Sequence, residues 1–532
     1  NDMDGTRLFT GGRIKTMDPR NPSADSILVC GQRIAAVGTV TEVMGHPLAC
    51  KTEKTDLEGR RVIPGIIDGH LHFAAWSEGK MAVDLSGCRS IHEVVEKLNE
   101  RAASLPDDRW IRGMHFDHSR FAEKRLPDRS DLDAVKNPVL LTRVCYHAHC
   151  ANSKALELAG MMENKDLPEG VQRDGTGSLT GVVLESGADL LYGAFRRDTP
   201  IGEEHLEGMA NCMREMASYG VTSISTSAAV HIGIDESFGP YQELRRRGRL
   251  LQRVTIHVND LLPFGISSFL GDEMIRYGGL KLFADGGFCA RTAAMSFEYN
   301  GMPGHRGELN YDPVLFRETV QRAQEQGIQV AVHTNGDRAM DMVLDAMERV
   351  GELFPRPWLR HKLLHCYVVR PEQAARMAAL GVVADVQPVF VSDEIDIAEE
   401  GIPEGMLPFS YAWKSLKEAG ITVAASSDCP AASPNPWRGV DAAVNRVRVG
   451  DRTPVGGWHP GQKMDLDEAL EMFTRNASFS TGMESVLGSL EPGKFADLVV
   501  LEDDPWDMGD EDLSAVRVFA TFRGGETIFG KL

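Results

Sequence analysis

The sequence predicts an α/β protein: a (β/α)8 (TIM) barrel with an inserted cap subdomain, plus a small β-sandwich domain formed by both termini. Three observations predict it. Short apolar runs alternate with amphipathic helical stretches through the middle of the chain, and both ends are strand-rich and broken by Gly and Asp turns. About 150 residues separate the first two apolar runs, far more than a βα loop holds.

Taken in order, the first segment carries LFTGGRIKTMD, SILVCGQRIAAVG and TDLEGRRVIPG, each mixing β-branched residues with turn signals. Eight barrel-strand candidates follow: RVIPGIIDGH, GVTSISTS, LQRVTIHV, GLKLFADGG, IQVAVHTNG, HKLLHCYVV, GVVADVQPV and ITVAASSDCP. Helical patterns at FRETVQRAQEQ (316–326), RAMDMVLDAMERV (338–350) and PEQAARMAAL (371–380) lie between several of them, as right-handed βα crossovers require. GSLEPGKFADLVVLEDD and VRVFATFRGGETIF then return to short strands around turns. The expected boundaries are 1–62 and 485–532 for the β-sandwich and 63–484 for the barrel, with a cap at about 78–215 covering the barrel mouth.

Composition narrows the function classes. In 532 residues, 57 Lys and Arg face 77 Asp and Glu, a net charge of −20. Such an acidic field repels phosphate backbones and anionic lipid, so a small-molecule substrate is expected, with neither nucleic acid nor membrane as partner. Whether the chain forms a homo-oligomer is left open. No apolar run reaches the roughly 18 residues that span a bilayer. The start NDMDGTRLFTGG lacks the basic and apolar regions of a signal peptide, so a cytoplasmic location is expected. The nine cysteines form no C-x-x-C pair, which fits neither a disulfide framework nor a thiolate zinc finger.

The chemistry-bearing residues fall where a barrel places catalysis, at the carboxyl ends of strands: His70, His72, Lys281, His333, His365 and Asp428. The H-x-H spacing of His70 and His72 puts both imidazoles on one side of a strand, able to grip one ion, although paired core histidines look the same. Lys281 sits in an apolar strand where an unpaired ammonium is costly. It is either a snorkelling or salt-bridged lysine, with Asp285 as partner, or a lysine of depressed pKa that takes up carbon dioxide as an anionic, bridging carbamate. His333 and His365 end apolar strands, as hydrogen-bonded core histidines also do. Asp428, after another apolar strand, requires a cation or several donors.

With these motifs in place, the chain resembles the amidohydrolase superfamily, and specifically its YtcJ-like branch of metal-dependent hydrolases. Seven motifs run in family order: IPGIIDGHLH, RVCYHAHCANSKAL, GLKLFADGGFCARTAA, VHTNGDRAM, LRHKLLHC, SSDCPAASPNPW and GSLEPGKFADLVVL. The resemblance implies that His70, His72, Lys281, His333, His365 and Asp428 ligate a divalent metal. Zinc, as one or two ions, suits imidazole and carboxylate. It implies a carboxylated Lys281, Asp428 as general acid/base, and catalytic roles for Lys281 and His365. Arg143, His147 and Arg291 match motifs that face the family's pocket, so substrate binding is expected of them; a structural ion pair is the alternative for each arginine. Asp337 is as well explained as the first residue of a helix.

Two departures weaken any transfer of substrate: Leu364 replaces a Glu, and Cys145 and Tyr146 replace Asp and Gly before His147. Cys145, Cys289, Cys366 and Cys429 are candidate pocket walls or small buried hydrophobes. The expected function is hydrolysis of a carbon–nitrogen, non-peptide bond in an amide, formamide or cyclic amide by a metal-activated hydroxide. A heterocycle deaminase of the same superfamily is the alternative, which Lys281 disfavours. A barrel that has lost catalysis and serves as a binding or regulatory protein is the non-enzyme alternative.

Overall fold

A computed structural model describes residues 5–532 except 50, 51, 53, 145, 147, 165, 169, 228–237, 263–265, 510 and 511, and the side chains of 185 and 186. The described residues divide into two compact units. One holds the chain through His72, Ala210–Ser227 and the residues from Phe238 on; the other holds Phe73–Met209.

The first unit contains the barrel. Its eight strands are β1 (Ile66–Leu71), β2 (Val221–Ser227), β3 (Arg253–Val258), β4 (Ile275–Phe283), β5 (Gln329–Thr334), β6 (Lys362–His365), β7 (Val383–Val386) and β8 (Thr422–Ala425). All eight match the runs read from the sequence. They pair in parallel and in consecutive order, β1 to β8. β1, β2, β6 and β7 are buried at every residue, so their sequences do not alternate polar with apolar as a half-exposed strand does; β2 fills its buried positions largely with Ser and Thr. Beyond the last β8 residue the chain turns onto β1: Asp428 N–H donates to the His70 carbonyl (2.9 Å) and His72 N–H to the Cys429 carbonyl (2.7 Å). Those two bonds bring the first and last strands together.

The expected helices stand between the strands. Pro313–Glu325 follows β4, Asp337–Leu353 follows β5 and Pro371–Leu380 follows β6. Asp312 caps the first, with Pro313 at the first helical position, and the third ends at Gly381 in the left-handed region (φ 64°).

Both chain ends meet in two sheets. One orders Arg33–Gly38, Ser26–Cys30, Thr6–Thr10 and Lys54–Asp56; the other orders Glu526–Gly530, Val518–Arg523, Leu498–Leu501, Arg61–Pro64, Arg13–Lys15 and Ser23–Ala24. Phe9, Ile27 and Val29 from one sheet share a core with Val62, Leu498, Val500 and Phe522 from the other. That is the sandwich expected from the two ends.

The inserted unit is a six-stranded mixed sheet flanked by helices, running from strand Val83–Asp84 to strand Leu179–Leu184. It starts at Phe73, directly after His72, and helix Phe73–Met81 packs its Ala75 into the inserted unit's own core with Trp110, Leu140 and Leu191. Among the described residues, no helix is long and apolar enough to cross a membrane.

Candidate metal centre

β1 delivers the first two ligands. Gly69 between its buried neighbours is required by space: a Cβ there would lie 2.6 Å from an Asp385 carboxylate oxygen and 3.0 Å from the Ala425 carbonyl. His72 Nδ1 stands 2.9 Å from the Ser227 carbonyl at the end of β2. A carbonyl only accepts, so Nδ1 carries a proton and Nε2 is the nitrogen that faces the centre. His70 Nε2 is 3.1 Å from Lys281 Nζ on β4, and an ammonium there donates to it.

Nε2 of His70 and Nε2 of His72 each lie 3.3 Å from Asp428 Oδ1. That oxygen is buried and has no hydrogen-bond partner. The ligand atoms of His70, His72 and Asp428 all fall within 4.8 Å of one another. Three ligand atoms turned on one point, with a buried carboxylate oxygen among them, fit a divalent cation.

His365 and His333 form the neighbouring half, with ring centroids 4.5 Å apart. The His365 ring is 5.9 Å from that of His70. His365 gives Nδ1 to Gln387 Oε1 at 2.7 Å, leaving Nε2 free to ligate. His333 Nε2 stands 3.1 Å from the Gly286 carbonyl, which only accepts, so the proton is on Nε2 and Nδ1 is left for an ion; Asn335 Nδ2 donates to the same carbonyl (2.9 Å). Among the described residues, no carboxylate pairs with Lys281. Asp285, its alternative partner, instead accepts the backbone N–H groups of Ala294 (2.9 Å), Asn335 (3.0 Å) and Gly336 (2.8 Å).

Electrostatics follows burial. Burial drives His70 and His333 well below the usual imidazole range, with Lys281 and His365 respectively adding to it, and brings His365 down to about 4. Burial also lowers Lys281 to about 7, against the pull of Asp428. These three imidazoles are therefore neutral near pH 7, as ligation demands.

The substrate-binding candidates are placed differently. Arg291 lies in the loop after β4 with Nη1 donating to the Ile397 carbonyl (2.9 Å) and its guanidinium 5.4 Å from the Phe288 ring centre. Arg143, in the inserted unit, donates to His118 Nδ1 (3.0 Å) and Asp117 Oδ1 (2.9 Å). Arg143 thus has an ion pair with Asp117, whereas among the described residues Arg291 is held by a carbonyl and an aromatic face and makes no ion pair. His147 and Cys145 lie outside the described residues. Asp337, first in its helix, is bound by Ser296 N–H (2.7 Å) and paired with Arg370 (3.2 Å).

Of the remaining thiols, Cys366 and Cys429 are buried and pushed up by burial, as small hydrophobes are. Cys289 is exposed, and its Sγ meets Glu394 Oε1 at 2.8 Å. Glu394 also accepts the Tyr411 hydroxyl (2.6 Å) and is raised to about 7 by burial. Sequence reasoning missed Glu394, Asp385 and Gln387. The last two were visible as polar residues two apart in GVVADVQPV, an otherwise apolar run.

Comparison with known proteins agrees with this geometry. A family model described as the amidohydrolase family, Amidohydro_3, matches residues 53–529. An N-substituted formamide deformylase of Arthrobacter pascens is 30% identical over 97% of this chain and 97% of its own length. YtcJ of Bacillus subtilis (strain 168), named as an amidohydrolase, is 26% identical over 98% of this chain and 99% of its own. A crystal structure of an uncharacterised metal-dependent hydrolase from Pyrococcus horikoshii superposes with a TM-score of 0.78 at 26% identity, covering 96% of this chain and all of that one.

Proposed function

The chain belongs to the amidohydrolase family, and from that premise we propose that it hydrolyses the carbon–nitrogen bond of a small amide, formamide or cyclic amide. The observation that carries the metal-dependent part is the convergence of His70 Nε2, His72 Nε2 and Asp428 Oδ1 on one point. The formamide deformylase relative supports the choice of bond.

A divalent cation held here, for which zinc is our choice, supplies Lewis acidity towards a carbonyl and acidifies water beside it. The rest is the work of the chain's own residues. His70, His72 and Asp428 would hold one ion, and His333 and His365 would hold a second where two bind. Lys281, buried and without a carboxylate partner among the described residues, is suited to carry carbon dioxide as a carbamate between them. Asp428 takes the proton of the attacking water and returns it to the leaving nitrogen, which needs one carboxylate within reach of both. The proposed substrate is a small molecule, and the proposed location is the cytoplasm.

The test combines metal analysis with initial rates on a panel of N-substituted formamides, linear amides and cyclic amides. The expected result is a stoichiometric divalent ion and turnover within that panel, with Asp428→Asn lowering kcat by about 10²- to 10⁴-fold. A metal-loaded protein that cleaves esters but no member of the panel would overturn the carbon–nitrogen assignment.

A further inference from the structure

β7 contributes no metal ligand, yet Asp385 within it and Gln387 directly after its last residue are buried polar side chains two residues apart, and so on one side of the strand's line. Their hydrogen bonds run in a fixed direction. Gln387 Nε2 donates to Ser426 Oγ (2.9 Å), and Ser426 Oγ donates to Asp385 Oδ1 (2.6 Å). The hydroxyl has one proton, and the carboxylate takes it. Ser426 therefore receives from Gln387, which fixes the amide with its nitrogen towards Ser426 and its oxygen towards His365. Gln387 Oε1, 2.7 Å from His365 Nδ1, must then accept, so the His365 proton is on Nδ1 and the lone pair on Nε2.

The relay continues past Asp385. Its other oxygen forms an ion pair, not a hydrogen bond, with Lys362 Nζ at 2.9 Å, and Lys362 donates to the Gly69 carbonyl (2.7 Å), the peptide group that joins Gly69 to His70. Lys362, Asp385, Gln387 and Ser426 are each at most 1% exposed, so solvent does not compete for these bonds.

We propose that Gln387 is a positioning residue of the metal centre: through Ser426 and Asp385 it locks His365 in the tautomer whose Nε2 faces the ion, and the same relay, through Lys362, steadies the backbone that presents His70. The inference rests on the reading of this centre as a metal site. A ligating histidine needs its second nitrogen held, and loss of such a partner typically costs about 10- to 100-fold in metal affinity. A glutamine is suited to this task beside Asp385, because a carboxylate in its place would set two buried negative charges together.

The experiment measures zinc affinity of the full chain by chelator competition, together with the visible spectrum of the cobalt-loaded protein, for wild type, Gln387→Met, Ser426→Ala and Gln252→Met. Gln252 is an equally buried glutamine whose bonds go only to the carbonyls of Met213 and Val221. Expected are about 10- to 100-fold weaker binding and an altered cobalt spectrum for Gln387→Met, and about fivefold weaker binding for Ser426→Ala. Gln252→Met is expected to bind as the wild type does. Wild-type affinity in a folded Gln387→Met variant overturns the inference. Should that variant not fold, wild-type affinity in Ser426→Ala does so. Equal losses in Gln387→Met and Gln252→Met would also overturn it, by showing a merely structural effect. A wild type that takes up no divalent ion overturns the metal reading itself, and this inference with it.

Discussion

Replacing Lys281 by Met tests the electrostatic reading of the barrel interior most directly. The side chain is 1% exposed and pairs with no carboxylate among the described residues, and burial takes its pKa from 10.5 to about 7. At about 1.4 kcal/mol per unit, holding the ammonium in the folded chain costs on the order of 5 kcal/mol. The sign follows from proton counting. Below about pH 7 both folded and unfolded chains hold the proton and the cost is fully present. Between pH 7 and the unfolded value the unfolded chain binds more protons, so stability rises with pH and the cost fades. At pH 9 about 2 kcal/mol of it remains. Met fills the same volume without charge, so Lys281→Met should stabilise the metal-stripped, carbon-dioxide-free protein by about 3 kcal/mol more at pH 6 than at pH 9. For a unit of this size that is a difference of about 3 °C in the shift of Tm. Thermal melts of wild type and variant at the two pH values measure it, and hydrolysis should be lost in the variant at both. An equal shift at pH 6 and pH 9, or destabilisation at pH 6, would show that Lys281 is charged and paired in the folded chain, and would refute the argument.

Two further substitutions follow from the geometry. Arg253 on β3 makes a bidentate pair with Asp497 (2.8 and 2.9 Å) with both side chains almost fully buried, so Asp497→Ala leaves a buried guanidinium uncompensated and should cost about 3–5 kcal/mol in chemical denaturation. Gly69→Ala drives a methyl group into Asp385 and the Ala425 carbonyl and should cost about 1–3 kcal/mol in stability while weakening metal binding; unchanged metal affinity in a folded variant would contradict the placement of His70 by this close approach.

The barrel is legible in the sequence because parallel strands covered on both faces read largely as apolar runs, and its polar endings stand out against them. His70, His72 and Asp428 meet as their positions imply, and His365 and His333 lie beside them. The rest is hidden for physical reasons. Gln387 belongs to no ligand chemistry, so nothing in its residue type marks it, and only the hydrogen-bond direction through Ser426 gives it a role. Arginines such as Arg143 and Arg291 satisfy a carbonyl, a carboxylate or a substrate equally well, and sequence does not say which is nearest. Burial of Ala75, and not any break in helical pattern, decides that helix Phe73–Met81 belongs to the inserted unit.

The backbone at the centre shows how closure and site are coupled. His365 (φ 74°), Cys366 (φ 48°) and Asp428 (φ 54°) all occupy the left-handed region, which costs a non-glycine residue about 1–3 kcal/mol. Such strain persists only where surrounding bonds over-determine it. Cys366 N–H is held by the Thr334 carbonyl of β5 (3.1 Å), and Asp428 N–H by the His70 carbonyl of β1 (2.9 Å). The second bond is one of the two that bring β8 against β1. The contact that closes the barrel is therefore also the contact that sets the carboxylate of Asp428 against the imidazoles of His70 and His72. A substitution that loosens the β8–β1 seam cannot leave the centre intact. Loss of metal affinity should accompany loss of stability for changes along that seam, Gly69→Ala among them, whereas Asp497→Ala, at the opposite margin of the barrel strands, should lower stability with the metal affinity of the folded protein preserved.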